Sequence, residues 1–149
     1  MIKIKILLVF TLLITISLIE AVPNQLVKRT TKFEKCDDRI KKTLDVTSYP
    51  SDLVPNSEVA LYIKGDFGTE LNENSKLVVM VTYSDWTYDY GFNGDICSII
   101  KCPAPANFEI QTAVPLKGLP SGYLFSVLIF TNYGEIHEIP QACAVAKEK

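Results

Sequence analysis

Apolar and polar side chains alternate along much of this chain, in short segments that turn residues separate. The clearest segments are Glu58–Lys64 and Asn107–Val114, in which every second side chain is apolar or β-branched. A period of two is typical of strands with one buried face, and no segment shows the 3.6-residue period of an amphipathic helix. Because turn signals recur about every eight to twelve residues, the pattern predicts an all-β sandwich of about seven antiparallel strands.

Two predicted strands are apolar on both faces. Lys76–Ser84 carries Val78 and Met80 opposite its main apolar face, and Tyr123–Thr131 carries Leu124, Leu128 and Phe130 opposite its own. An antiparallel strand with one face in water should be polar on that face. Two interpretations stay open: these are central strands that loops cover in part, or they form a second apolar surface for a ligand or a partner.

Four aromatic residues alternate in the segment Trp86–Phe92. The alternation predicts that Trp86, Tyr88, Tyr90 and Phe92 lie on one side of a strand. They form either ordinary cross-strand packing or an aromatic ledge at a membrane interface, where amphipathic rings are stable.

Residues 1–21 have the pattern of a secretory signal peptide. Lys3 and Lys5 precede an apolar run from Ile6 to Ile19, and Ala21 is a small residue at the expected cleavage point. The run is shorter than the roughly twenty residues that a membrane span needs. We therefore expect a protein that enters the secretory route.

The segment that follows, Val22–Lys32, is polar and contains the dibasic pair Lys28–Arg29. It is either a flexible leader or a propeptide cut after Arg29. Residues 33–149 remain as the predicted folded domain.

All four cysteines follow the predicted signal peptide: Cys36, Cys97, Cys102 and Cys143. An even count in an oxidising compartment predicts two disulfides, with three possible connectivities. Cys97 and Cys102 are close enough for a convenient small loop, which leaves Cys36 to pair with Cys143. A zinc site is disfavoured, because the chain has no Cys-x-x-Cys pair and only one histidine, His137.

Charge and motif content argue against two function classes. The 15 basic and 17 acidic residues leave no basic excess that could follow a phosphate backbone, so we predict no nucleic-acid partner. No Gly-x-Ser-x-Gly nucleophile elbow is present, and Glu135 with His137 is typical of a surface pair. We therefore predict that the protein is not an enzyme and uses no cofactor and no metal.

Short motifs follow one another in a defined order from residue 33 to the last cysteine. They are Phe33-Glu-Lys-Cys36, Leu61-Tyr-Ile-Lys-Gly65, Ile96-Cys97, Cys102-Pro103, Val114-Pro115, Pro120-Ser-Gly-Tyr123, Asn132-Tyr-Gly134 and Cys143. In this order and spacing they resemble the ML domain family of secreted lipid-recognition proteins. That family includes phosphatidylglycerol/phosphatidylinositol transfer proteins and the Niemann–Pick type C sterol-transfer protein.

The resemblance implies an immunoglobulin-like sandwich whose two sheets splay apart and hold a lipid between their inner faces. The implied lining is aliphatic and aromatic, whereas the residues without the resemblance favour an ordinary core. Eight side chains would line the cavity: Val59, Leu61, Ile63, Val79, Val81, Phe125, Val127 and Ile129. Four more would flank the disulfide loop near an entrance: Phe92, Ile96, Phe108 and Ile110.

The resemblance also implies a function. We expect a monomer, secreted or in the endolysosomal lumen, that carries a sterol, phosphatidylinositol or phosphatidylglycerol between membranes through transient membrane contact. An alternative is a secreted recognition or adhesion sandwich that acts through a protein partner. Lipid bound to the purified protein would separate these two functions.

Overall fold

The computed structural model describes residues 30–40, 42–119, 121–131 and 139–147. The predicted signal peptide, the pair Lys28–Arg29 and the segment with His137 lie outside these residues. No helix in the described ranges is long and apolar enough to cross a membrane. These described ranges form eight strands: β1 Lys42–Thr43, β2 Asp45–Tyr49, β3 Ser57–Asp66, β4 Ser75–Thr82, β5 Tyr88–Asp95, β6 Asn107–Leu116, β7 Leu124–Thr131 and β8 Ala142–Lys147.

The strands form two sheets, which confirms the predicted all-β sandwich. One sheet has five strands in the order β1-β8-β7-β4-β5, and the other has three in the order β2-β3-β6. The chain passes between the sheets at Leu44, which is buried and whose N–H donates to the Cys143 carbonyl at 3.2 Å. The strands on either side of Leu44, β1 and β2, therefore belong to different sheets.

The core lies between the two sheets, and its inward faces are apolar. Among the described residues, Ser75 and Ser126 are the buried polar side chains. Ser75 lies at the start of β4, where its Oγ accepts a hydrogen bond from the Asn72 N–H at 3.1 Å. Ser126 alternates with the inward residues of β7, so it lies on the outward face of its sheet. The space between the sheets is therefore lined by apolar side chains.

A β-bulge in β5 changes which aromatic side chains share a face. Tyr90 and Phe92 pair with consecutive residues of β4, so Gly91 is an extra residue in the ladder. The prediction of one common side from Trp86 to Phe92 is wrong, because the bulge shifts the alternation by one position. Tyr88 and Tyr90 lie on the outward face, whereas Phe92 packs against the core.

Gly91 also allows the two sheets to approach each other at this edge. A Cβ atom on Gly91 would overlap Cγ1 of Val114 in β6 and would lie 3.4 Å from the Pro115 carbonyl oxygen. A larger residue at this position must push β5 and β6 apart.

Strand β6 continues through Pro115, although proline is typical of turns. Pro115 pairs with Glu58 of β3. Strand β6 is the edge of the three-stranded sheet, and a proline is tolerated on an edge strand because its missing N–H faces no partner.

The outward faces of the two sheets differ in polarity. On the three-stranded sheet, Lys64 and Glu109 form an exposed ion pair at 3.3 Å, and Gln111 Nε2 donates to the Tyr62 hydroxyl at 3.3 Å. The outward face of the five-stranded sheet is apolar instead. It carries Val78, Met80, Leu124, Leu128, Phe130 and Val145.

The N-terminal segment covers part of this apolar face. Glu34 exchanges backbone hydrogen bonds with Val145 at 2.7 and 2.8 Å. Ile40 is buried in a small cluster with Cys143 and Val145, against which Leu124 also packs. The interpretation that a covering segment explains the apolar face therefore holds for the half nearest β8. The half nearest β5 presents Tyr88 and Tyr90 to solvent.

Two disulfides join the cysteines as the small-loop argument predicted. Cys36 pairs with Cys143 and ties the N-terminal segment to β8. Cys97 pairs with Cys102 and closes the loop between β5 and β6.

We expect Gly91→Ala to lower the free energy of unfolding by about 1–3 kcal/mol, because the new methyl group overpacks against Val114. Urea unfolding of the oxidised protein measures this change. Gly118→Ala is the matched control: no atom lies within 4 Å of its added Cβ, so its effect should stay within about 0.5 kcal/mol. In the double variant with Val114→Ala, the loss should be smaller than the sum of the single losses. If the losses of the two single variants add up exactly in the double variant, the contact between residue 91 and Val114 is contradicted.

We also expect the two disulfides to differ in their contribution to stability. Their cysteines are 107 and 5 residues apart in sequence. The chain-entropy model then gives about 4.7 kcal/mol for the long loop and about 2 kcal/mol for the short one. Urea unfolding of the two double-alanine variants tests this order. A larger loss from the Cys97–Cys102 pair would show that chain entropy is not the dominant contribution.

Candidate functional site

The interior between the sheets is where the predicted cavity-lining residues lie. Eight of them occupy the inward faces of β3, β4 and β7, and all eight are buried in one cluster. Of the four predicted entrance residues, Phe92 is half-buried at the end of β5. The other three are buried, Ile96 in a short 3₁₀ turn after β5 and Phe108 and Ile110 at the start of β6.

Strand β8 contributes three further inward residues that the sequence analysis missed. Ala142, Ala144 and Ala146 are fully buried and alternate with outward residues. The spacing of the three alanines is a period-two signal, but alanine is not typical of strands, so the pattern is weak. Because alanine side chains are small, those of β8 take up less of the interior than the larger inward side chains of β3, β4 and β7.

The interior is closed in this structure. Leu61, Ile63 and Val79 have an exposed fraction of 0%, so no water-sized sphere touches them. The side chains of the two sheets therefore contact one another directly. A lipid could occupy this space only if the sheets moved apart.

One end of the sandwich, which we call the disulfide end, is closed by paired backbone. The loop after β3 bonds to the loop before β6: Leu71 and Ala104 exchange hydrogen bonds at 3.0 and 2.9 Å, and Phe67 N–H donates to Ala106 at 2.8 Å. Leu71 is fully buried beneath this pairing. Opening this end would break these hydrogen bonds.

The opposite end is closed by side chains and by a backbone hydrogen bond from the Thr31 N–H to the Ser51 carbonyl at 2.8 Å. The half-buried residues Leu53, Tyr83, Leu119 and Tyr123 pack against the core there. A cavity of about 330 Å³ lies beside them. Its lining comes from the β4–β5 turn, the start of β7 and the end of β8: Thr82, Tyr83, Ser84, Trp86, Gly122, Tyr123, Leu124 and Lys147.

Hydrogen bonds fix the β4–β5 turn at this end. The Tyr83 hydroxyl donates to Asp89 Oδ2 at 2.7 Å, and this bond raises the pKa of the phenol. The Thr87 hydroxyl and N–H donate to Asp85 Oδ1 at 2.6 and 3.0 Å, and they lower the pKa of that carboxyl. Asp85 is therefore held in its ionised form, with the turn shaped around it.

The described residues contain no group of three or more His, Cys, Asp or Glu side chains that could hold a metal ion. The arrangement instead offers a closed apolar interior and one shallower cavity at the turn end.

A family model described as the ML domain matches residues 30–135. No curated protein matches the sequence at a significant level. One similar solved structure is a Niemann-Pick type C2 protein from Japanese carpenter ant, at 15% sequence identity and a TM-score of 0.48. The similarity covers 78% of this chain and 96% of that protein. Since the family model covers well over half of the sequence, the chain belongs to the ML domain family.

Proposed function

We propose that this protein binds a sterol or a phospholipid between its two sheets and carries it between membranes. Membership of the ML domain family, combined with an interior that is apolar on both inward faces, is the observation that supports the proposal. The twelve predicted lining residues would contact the lipid, and the three alanines of β8 would leave room beside them. Both disulfides suit a secreted or endolysosomal location, where thiols are oxidised.

The closed interior is compatible with this function on energetic grounds. A rigid dry cavity of a few hundred Å³ would cost on the order of 10 kcal/mol, at about 24 cal/mol per Å³. That cost is as large as the whole stability of a small domain, about 5–15 kcal/mol. An interior that closes in water and opens around a lipid avoids this cost. Each buried CH₂ group of the lipid returns about 0.8 kcal/mol.

The lipid would enter at the end that side chains close and that fewer backbone hydrogen bonds hold. The sequence predicted an entrance beside Phe92, Ile96, Phe108 and Ile110, at the disulfide end. There the backbone pairing of Leu71 with Ala104 would have to break. At the opposite end the requirement is smaller: the backbone hydrogen bond from Thr31 to Ser51 breaks, and Tyr123 rotates beside Tyr83, which its hydrogen bond to Asp89 holds in place. In this proposal the four residues at the disulfide end form the floor of the site.

A recognition sandwich that acts through a protein partner is the second candidate. The observation that favours it is the same closed interior, because a permanently filled core would leave only the surface for function. A lipid carrier should be purified with the mass of the chain plus a lipid, whereas a recognition sandwich with a filled core should have the mass of the chain alone.

Native mass spectrometry of the oxidised protein, followed by organic extraction, tests the proposal. We expect a stoichiometric lipid, or its uptake after incubation with vesicles of mixed phospholipids and sterol. Protein without lipid both before and after incubation would contradict lipid carriage and favour the protein-partner function.

Ala144→Leu should reduce this lipid uptake, because the larger side chain fills the space beside β7. It should also cost about 1–3 kcal/mol of stability through overpacking. Ala113→Leu is the matched control, since Ala113 is exposed on the outward face of β6. Both variants are compared by lipid occupancy and by urea unfolding. If the folded Ala144→Leu variant were still fully occupied by lipid, the lipid would have to bind somewhere other than between the two sheets.

A further inference from the structure

We propose that the β4–β5 turn and the adjoining outward face of the five-stranded sheet dock on a phospholipid bilayer, with Trp86 inserted among the lipid headgroups. We call this surface the aromatic tip and define it by Trp86, Tyr88 and Tyr90. The proposal rests on the proposed function, because a lipid carrier must meet a membrane. It concerns a different surface from the lipid-binding interior.

Trp86 occupies a backbone position that favours glycine. Its φ angle is +67°, and its side chain is 85% exposed, the highest fraction among the large hydrophobic residues described. In three-residue hairpin loops the left-handed position before the returning strand is typically glycine, because other residues strain the backbone there. An exposed tryptophan in this position contributes little to the core. Its presence therefore points to a role outside folding.

The turn presents Trp86 on a fixed backbone. The Trp86 N–H donates to the Tyr83 carbonyl at 3.0 Å, and the Tyr83 N–H donates to the Thr87 carbonyl at 2.8 Å. The Asp85 carboxylate accepts two hydrogen bonds from Thr87. A fixed turn loses little conformational entropy when its side chain inserts into another phase.

The face beside the turn suits the interfacial region of a bilayer. Tyr88 and Tyr90 are about half exposed and pack edge to face, with ring centroids 5.2 Å apart. Tyrosine and tryptophan rings are stable at membrane interfaces, where the ring contacts lipid and the polar group contacts water. The half-buried Met80 and Leu124 extend the apolar surface behind these rings.

Charges of both signs lie at the aromatic tip. Asp85 is in the turn beside Trp86, and Asp89 follows in β5. The cavity of about 330 Å³ beside Trp86 has one charged side chain among its described lining residues, Lys147. An ammonium group beside aromatic and aliphatic walls is complementary to a phospholipid headgroup, whose phosphate is followed by an apolar chain. The cavity, and not the turn as a whole, therefore favours a lipid phosphate.

The fluorescence of Trp86 reports docking directly, because the chain has one tryptophan. The oxidised full chain is mixed with vesicles of equimolar phosphatidylcholine and phosphatidylglycerol. We expect a blue shift of the emission, protection from acrylamide quenching and co-sedimentation with the vesicles. Unshifted emission in protein that sediments with the vesicles would show that another surface docks.

Trp86→Gly is the decisive variant. We expect at least a tenfold loss of vesicle binding, since most of a large apolar ring is removed from the interface. Because glycine adopts the left-handed conformation readily, the unfolding midpoint should not fall. Tyr62→Ala, on the polar outward face of the other sheet, is the matched control and should bind like the wild type. Undiminished binding by Trp86→Gly would overturn the proposal.

The contribution of the Lys147 charge is tested with the same vesicle-binding assay. Lys147→Gln should weaken binding to these vesicles about fivefold, equivalent to about 1 kcal/mol for one basic residue at an anionic surface. Lys101→Gln, in the loop of the disulfide end, should change nothing. If Lys101→Gln weakened vesicle binding and Lys147→Gln did not, the docking surface would lie at the disulfide end. A blue shift that depends on protein concentration without vesicles would identify a second copy of the chain as the occupant.

Native masses of the same variants separate this proposal from the proposed function. Trp86→Gly that keeps its lipid but no longer binds vesicles supports both proposals. Wild-type protein that docks but carries no lipid supports the aromatic tip and contradicts lipid carriage. Wild-type protein that carries lipid and does not sediment contradicts the aromatic tip alone.

Discussion

The dry contact between the inward faces of the two sheets is the interaction on which the rest of this structure depends. Neither sheet has another way to bury its apolar face, and the buried polar side chains lie at one end or on an outward face. The other features serve this contact. The chain crosses from one sheet to the other at Leu44. Gly91 allows the two sheets to approach each other closely at the β5 edge, and the disulfide from Cys36 to Cys143 holds the N-terminal segment beside the opposite edge, next to β8.

The same contact determines how the protein could hold a lipid. Apolar side chains that meet in water can separate around an apolar ligand, because the ligand replaces the contacts that the side chains lose. A site of this kind needs no preformed cavity and no polar anchor in its interior. It does need one end that opens at little cost in backbone hydrogen bonds. Among the described residues, the end that Tyr83 and Tyr123 close has one such bond, from Thr31 to Ser51, whereas the disulfide end has three, including the Leu71–Ala104 pair.

Much of this arrangement was readable from the sequence. Period-two alternation predicted the inward residues of β3, β4, β6 and β7, because a side chain on a strand can point to only two sides. The alternation and the spacing of the turns predicted the sandwich, and the short spacing of Cys97 and Cys102 predicted their pairing. These features depend on local pattern or on short separations in sequence, and the pair Cys36–Cys143 follows from them by elimination.

The parts that the sequence did not predict depend on contacts between distant segments. The bulge at Gly91 moved Phe92 to the inward side, because one extra residue shifts the alternation. A glycine inside a strand is compatible with a bulge but also with a close approach of another backbone, so it does not determine the register by itself. Pro115 reads as a turn residue until β6 is known to be an edge strand. The alanines of β8 carry too weak a strand preference to be assigned before their neighbours are known.

Strand β5 takes part in both proposed activities. Its outward tyrosines adjoin Trp86 in the aromatic tip, and its bulge residue Gly91 meets Val114 at the edge where the two sheets close. Because Gly91 has no side chain, its backbone packs directly against the Val114 side chain of β6, and a shift of β5 would alter the separation of the sheets at that edge. A carrier has to keep its lipid in water and release it at a membrane. In the proposed docked state, the bilayer holds the outward face of β5 while the inward face of β5 seals the interior. Strand β5 would then connect docking directly to opening.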